Sequence, residues 1–459
     1  MLLKKIYIYI YFDDFFFFFS CSITDPAYLE WEAIVAVLDG VLSRILLVTE
    51  RPAIINGLRL LEKCVMIKTQ DPLIFSIVLS CVSSLFVFLS MSSAGSSSQT
   101  GAQLLPLVLE KIFSAIVFNL PNEVQFSIRS AATKTLRRHA ASSIVKISLK
   151  YPLLLLPIFD QINTTAKNLP ISDNERLMLQ EALLIISNNF FDFEKQSGFI
   201  AQVIQPANQL WMDLTPALKS PAYFIDFIGL SGTPADISKD LIKDVSFKHR
   251  SSLLLALNTV LSVIKRCQCP DDPDKSYRGG FIVAQTESGN PITRNPAASH
   301  AIPQLQNILA LLRILNELWF PSSIARFHDG YKHANSLLEI DKKLLLGVVY
   351  IQPDSFDPVQ QIKKRSPLEY MQIFITTIFD NSYHLLGAAG VSLGRDLYNL
   401  DGLAQALIGS CLANLENVPD YRLRTIIRVF LKSFVYSCPP DYHEKVVLPI
   451  FSHLAPFSK

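Results

Sequence analysis

Between Val124 and Phe159 the sequence holds no Asp or Glu, yet it carries Arg129, Lys134, Arg137, Arg138, Lys146 and Lys150, with His139 among them. In a helix, residues four apart advance about 40° beyond a full turn. Lys134, Arg138 and Ser142 therefore share one stripe. A stripe of Ile128, Ala132, Leu136, Ala140 and Ile144 lies roughly opposite, facing the core. Polar and cationic side chains in line, with no acid nearby in sequence to neutralise them, suit charge-assisted hydrogen bonds to phosphate oxygens. Such contacts position a protein on nucleic acid without reading its bases. A solvated face that keeps the chain soluble accounts for the same residues. The candidate phosphate-contacting set is Lys134, Arg137, Arg138, His139, Ser142 and Lys146. A second basic face, Arg424, Arg428 and Lys432, follows Pro419-Asp420 at four-residue spacing. It is a secondary candidate, and a salt-bridge ridge against a neighbouring helix fits it better than a phosphate track.

Catalytic patterns are sparse. Gly390-Val391-Ser392-Leu393-Gly394 matches G-x-S-x-G, with Asp401 and His443 following in hydrolase order. A nucleophile elbow needs a strand before the serine; here the preceding residues read as helical and no parallel-sheet pattern precedes them. The sequence contains no phosphate-binding loop, no H-E-x-x-H and no EF-hand loop. The expectation is a protein that is not an enzyme and that holds no cofactor and no metal. The 7 cysteines are scattered, and Cys267-x-Cys269 has no second pair to complete a zinc site. They read as reduced thiols.

The elements that would position these residues are helices. Half of the 459 residues are apolar, only 18% are charged, and Gly is scarce at 17. Apolar side chains recur at three- and four-residue spacing over 27–49, 54–67, 72–91, 102–119, 123–150, 152–167 and 174–190. The pattern resumes over 195–216, 250–266, 303–319, 366–389, 395–415, 421–437 and 440–454. Short breaks such as Tyr151-Pro152 and Cys438-Pro439-Pro440 join antiparallel neighbours. Pairs recurring at about forty residues have the HEAT or armadillo period. The fold class expected is all-α, a HEAT-repeat α-solenoid superhelix, with repeats over 26–266 and 304–459. Residues 267–303, with Gly279-Gly280 and several prolines, read as a long irregular loop. Residues 1–25 alternate Ile and Tyr and then run through five Phe. They read as an anomalous low-complexity start, such as translated non-coding sequence, rather than a membrane anchor. The uncharged stretch from Pro72 is long enough to span a bilayer, but its serines and the absence of flanking cation clusters point to a buried helix. Net charge is +2, so polyanion binding has to be local.

Specific strings carry a resemblance. Arg137-Arg138-His139-Ala140 with Ser142-Ser143-Ile144 and Lys146 resembles a basic helix of the exportin-5 family, a branch of the karyopherin-β nuclear export receptors. So do Glu181-Ala182-Leu183 with Ile186-Ser187-Asn188. Gly279-Gly280-Phe281-Ile282-Val283, followed by Ser288-Gly289-Asn290-Pro291-Ile292 and Arg294-Asn295-Pro296, is similar to that family's long central loop. Asn417 through Tyr442 is similar almost throughout. The resemblance runs from about residue 26 to the end and implies the central part of such a receptor. Such receptors shuttle between nucleus and cytoplasm and pass nuclear pore proteins. Their GTP-bound Ran partner is gripped mainly by repeats outside this chain, and no membrane insertion is implied. The cargo implied is a double-stranded RNA hairpin with a 3′ overhang, pre-microRNA, held by its A-form shape. The resemblance places Arg138 and Ser142 at the basic tunnel for that overhang. The sequence departs from the family pattern at Asp173, an acid after Ser172, and at Tyr370, where an Arg is expected. A karyopherin for protein cargo and a HEAT scaffold without a transport role are the alternatives.

Overall fold

The computed structural model describes residues 22–44, 51–93, 98–123, 129–234, 244–286, 289, 291–345 and 365–458. Most of the anomalous stretch 1–25, and Ile128, fall outside them. The chain forms two compact units, Met1–Asn189 and Phe190–Lys459. The division falls within the stretch 26–266 that reads as one run of repeats, and residues 267–303 belong wholly to the second unit.

The first unit holds α1 (Pro26–Arg44), α2 (Arg51–Met66), α3 (Pro72–Leu85), α4 (Val87–Ser93), α5 (Ser98–Ile116), α6 (Ala131–Lys150), α7 (Phe159–Asn168) and α8 (Asp173–Ser187). Helices α1, α3, α6 and α8 pack side by side as a row. In a second layer α2 lies on α3, α5 on α6 and α7 on α8. This is HEAT-type stacking, in which each pair buries its apolar face on its neighbours. Caps set the starts. The Asp71 carboxylate accepts from the amides of Leu73 and Ile74 at 2.7 and 3.1 Å, with Pro72 at the first position of α3. Ser130 accepts from the Thr133 amide at 3.1 Å. Glu123 accepts from the amides of Leu120 and Ser130, at 3.2 and 2.6 Å. The helix expected over 123–150 therefore begins at Ala131. The stretch Pro72–Met91 is long and apolar enough to cross a membrane, but half of it is buried in protein, and the helix is interrupted at Phe86.

The second unit holds α9 (Phe193–Leu214), α10 (Pro221–Ile228), α11 (Val245–Arg266), α12 (Pro273–Arg278), α13 (Leu305–Glu317), α14 (Pro321–Ala325), α15 (Glu339–Leu345), α16 (Pro367–Leu393) and α17 (Leu403–Ile408). A continuous helix over 420–437, α18, follows, and α19 (Leu448–Leu454) comes last. Here α9, α11, α16 and α18 form a row, with α10 and α13 in the second layer. The long loop is more ordered than expected. It contains α12 and a hairpin of β1 (Ile282–Gln285) and β2 (Pro291–Thr293), with Ile282 opposite Thr293. The single helix expected over 395–415 is absent. Gly394, Gly402 and Asn414 take φ of 50°, 70° and 59°, a left-handed backbone that ends one helical piece and starts the next. The central turns of α18, Ile426–Leu431, are π-helical, and their backbone approaches Gly387 of α16 so closely that a Cβ there would lie 2.2 Å from the Val429 carbonyl oxygen.

Candidate nucleic-acid interface

Helix α6 has helices on three sides: α3 and α8 along its row and α5 in the second layer. Leu136, Ala140, Ile144 and Ile147 are buried. Lys134, Arg138, Lys146 and Lys150 are exposed, and Ser142 is half-buried. From Lys134 to Lys146 the open face is about 18 Å long at the helical rise. Among the described residues no carboxylate forms an ion pair with Lys134, Arg138 or Lys146. The face thus presents uncompensated cations on a rigid element whose other sides are occupied.

Arg137 does not belong to it. Its side chain is 0% exposed, and the guanidinium makes a two-pronged contact with Glu175 of α8. Nε and Nη2 donate to Glu175 Oε1 and Oε2 at 2.7 and 2.8 Å, and Nη1 donates to the Phe118 carbonyl at 3.2 Å. Glu175 Oε2 also accepts from the Ser172 amide at 2.8 Å, and Ser172 Oγ accepts in return from the Glu175 amide, closing a capping box. Burial pushes the Glu175 carboxyl up, but Arg137 and the Ser172 amide hold it below its usual range. Arg137 therefore joins α6 to the start of α8 and, fully buried, is out of reach of a phosphate at the surface. The acid that neutralises it lies 38 residues away, outside any local pattern.

His139 also turns inward. Its Nδ1 shares a 2.7 Å hydrogen bond with Ser76 Oγ of α3, and Nε2 lies 3.5 Å from Ser80 Oγ. Burial, helped by the Lys146 charge, lowers its pKa to about 4, so the ring is neutral at pH 7 and offers no charge to phosphate. Leu149, near the end of α6, and Leu153, past the bend that follows Lys150, are exposed apolar side chains outside the candidate set. Ser172 is a cap and Asp173 an exposed first-turn acid, favourable at a helix N-terminus. Tyr370 is exposed on α16.

Arg424, Arg428 and Lys432 are exposed along α18, in the second unit. The strong local cation there is Arg422, which the sequence reading passed over. It is buried, paired with Asp380 at 3.4 Å, bonded to Thr376 Oγ1 at 2.7 Å and laid against Phe379 and Tyr421.

The hydrolase-like residues are each engaged with other partners. Ser392 sits within α16, donates to the Cys267 carbonyl at 3.1 Å and accepts from Asn295 Nδ2 at 3.3 Å. His443 Nε2 lies 3.1 Å from the Cys438 carbonyl, and Asp401 pairs with Lys445 at 3.0 Å. Gly390 is required for packing: a Cβ there would meet the Tyr398 hydroxyl at 2.5 Å. Burial pushes the Cys267 thiol up, and Cys269 up to about 11. Among the described residues no cluster of His, Cys, Asp or Glu could hold a metal ion.

Rows of paired helices, each pair stacked on its neighbours, define a HEAT-type repeat protein. Residues 17–457 match the model of the Exportin-5 family. The chain is 34% identical over 447 residues to human Exportin-5 and 34% identical over 444 residues to the mouse protein, covering 95% of the chain and 36% of each relative. It is 23% identical to Protein HASTY 1 of Arabidopsis thaliana over 75% of the chain and 28% of that protein. The chain belongs to the Exportin-5 family, and it spans about a third of the length of the curated relatives it matches.

Proposed function

We propose that this chain contributes the cargo-holding part of a karyopherin-type nuclear export receptor whose cargo is a short double-stranded RNA hairpin. In this reading Lys134, Arg138 and Lys146 meet phosphates, and Ser142 adds a neutral hydroxyl. Ran in its GTP form and nuclear pore proteins are the partners of the cycle, and the protein shuttles between nucleus and cytoplasm. The observation that carries the reading is the open side of α6: exposed cations, no described acid paired to them, and neighbours on the other three sides. Arg137 and His139 leave the contact set because their polar atoms are already engaged. Recognition through phosphates follows duplex shape. A hairpin with a 3′ overhang should therefore bind better than a single strand of equal length, and Lys134→Glu with Arg138→Glu should remove the difference. Equal binding of both RNAs by the native chain, or no loss in the variant, overturns the proposal.

A protein cargo is the second reading, and exposed Leu149 and Leu153 favour it, since apolar side chains gain nothing from phosphate. Leu149→Ser with Leu153→Ser then weakens capture of the protein cargo while leaving hairpin affinity intact. Loss of hairpin affinity in that variant instead assigns the leucines to the RNA face.

A further inference from the structure

A cavity of about 490 Å³ lies in the second unit, between α13 and the segment 400–410 that contains α17. The two helices rest on different neighbours, α13 on α16 and α17 on α19, and face one another across the gap. Leu305 and Leu309 wall one side, Leu400 and Leu403 the other. Ala310, Ala406 and Gly409 line it too, and with nothing longer than a methyl group they leave the space open. Ala406 and Gly409 are exposed, so the cavity is reached from solvent. Asn316 Nδ2 donates to the carbonyls of Cys411 and Ala413 at 3.2 and 3.0 Å, which sets the last turns of α13 beside the end of that segment. Arg313, one turn before Asn316, therefore lies at the end lined by Gly409 and Ser410, and Asp401 lies toward the other end.

The charges of the lining decide what fits. Arg313 is exposed and, among the described residues, in no ion pair. Asp401 is paired with Lys445 at 3.0 Å, so its charge is already met. Glu317, one turn past Arg313, is half-buried and accepts from Asn414 Nδ2 at 3.4 Å. Burial pushes its carboxyl up, and the nearby Arg313 charge opposes that rise. Small molecules bind in spaces of about 300–1,000 Å³ walled mainly by apolar side chains, with a few polar groups that fix orientation. An apolar body recovers the free energy of walls left in water. The planar guanidinium fork matches a carboxylate. Glu317 limits the charge of the occupant to one, since a dianion would meet its carboxylate on the next turn. From Leu305 to Arg313 the cavity wall runs roughly 12 Å along α13 at the helical rise, the reach of a medium-length acyl chain.

We propose that the cavity between α13 and the 400–410 segment binds a small amphipathic carboxylate, its apolar body against Leu305, Leu309, Leu403 and Ala406 and its carboxylate on Arg313. The site does not depend on the RNA reading of α6, which belongs to the other unit. The test titrates this chain with a dansyl-tagged undecanoate, read by its fluorescence gain on entering an apolar site, and with the methyl ester of the same probe as the uncharged control. The acid is expected to bind at one site per chain. The ester should bind about tenfold more weakly or worse, the loss of a charge-assisted hydrogen bond. Arg313→Leu, at an exposed position, should bind acid and ester equally. Ala406→Phe fills the cavity without touching a charge and should weaken both probes at least tenfold, with melting curves showing that each variant is folded. Failure of the acid to bind, equal binding of acid and ester by the native chain, a preference for the acid that survives Arg313→Leu, or native binding by Ala406→Phe overturns the proposal.

Discussion

Replacing Arg137 by Ala separates a residue that holds the fold from the neighbouring residue that faces solvent. The Ala variant loses both prongs to Glu175, at 2.7 and 2.8 Å, and the bond to the Phe118 carbonyl. It leaves the Glu175 carboxylate, itself only 8% exposed, without its cation. Removing one partner of a buried pair costs about 3–5 kcal/mol, mostly the penalty of the stranded charge. In a unit of this size 1 kcal/mol corresponds to roughly 2–4 °C. The transition reporting the first unit should therefore fall by roughly 6–20 °C. Hydrogen exchange should place the loss in α6 and α8. Arg138→Ala, one residue on and exposed, should stay within about 0.5 kcal/mol of the native chain. Below the transition, hairpin affinity should be kept by Arg137→Ala and reduced by Arg138→Ala. If Arg137→Ala melts with the native protein and loses RNA as Arg138→Ala does, the pairing with Glu175 is not what Arg137 is for.

Further expectations follow from the same packing. His139 titrates near 4 in the folded chain against an ordinary value of 6.5, so the unfolded chain takes up its proton first as pH falls. Stability should drop between about pH 6.5 and 4, and His139→Gln should flatten melting temperature against pH across that window. Glu123 behaves differently: burial pushes its carboxyl up, but the Ser130 amide, the Thr133 hydroxyl and the Leu120 amide bring it to about 2. Its contribution is full above about 4.5 and lost as pH falls toward 2, and Glu123→Gln should lack that acid limb in a denaturation series. Gly387→Ala would set a Cβ 2.2 Å from the Val429 carbonyl oxygen. The misfit should cost about 1–3 kcal/mol, seen as a lower urea midpoint with an unchanged slope.

The all-α repeat class was legible because apolar periodicity is a local property, and α6, α8 and α16 formed where that pattern lies. The interruptions were harder. Phe86 breaks α3 from α4, and Gly402 and Asn414 divide 395–415, through backbone turns that leave little trace in hydrophobic spacing. The hairpin Ile282–Gln285 with Pro291–Thr293 is short and lies in Gly- and Pro-rich sequence, which reads as loop. At the site, the acid-free run of α6 is plain in the sequence itself, and the exposure of Lys134 and Arg138 followed from helical spacing. Arg137 and His139 are next to Arg138 in the chain but each lies about 100° from it around the helix, on opposite sides, and their fate depends on Glu175, Ser76 and Ser80 of other helices. The pattern Ser172-x-x-Glu175 marks a capping box in the sequence, but nothing local shows that its carboxylate is shared with Arg137.

The central claim is that the open face of α6 holds RNA by its phosphates, and salt dependence tests it most directly. Hairpin affinity should be measured at several salt concentrations for the native chain and for Lys134→Ala/Arg138→Ala/Lys146→Ala. Each lost phosphate contact should lower the slope of log affinity against log salt by about 1. The account predicts a slope shallower by about 3 and weaker binding at every salt concentration, with the melting temperature unchanged. An unchanged slope and affinity in the triple variant would contradict it.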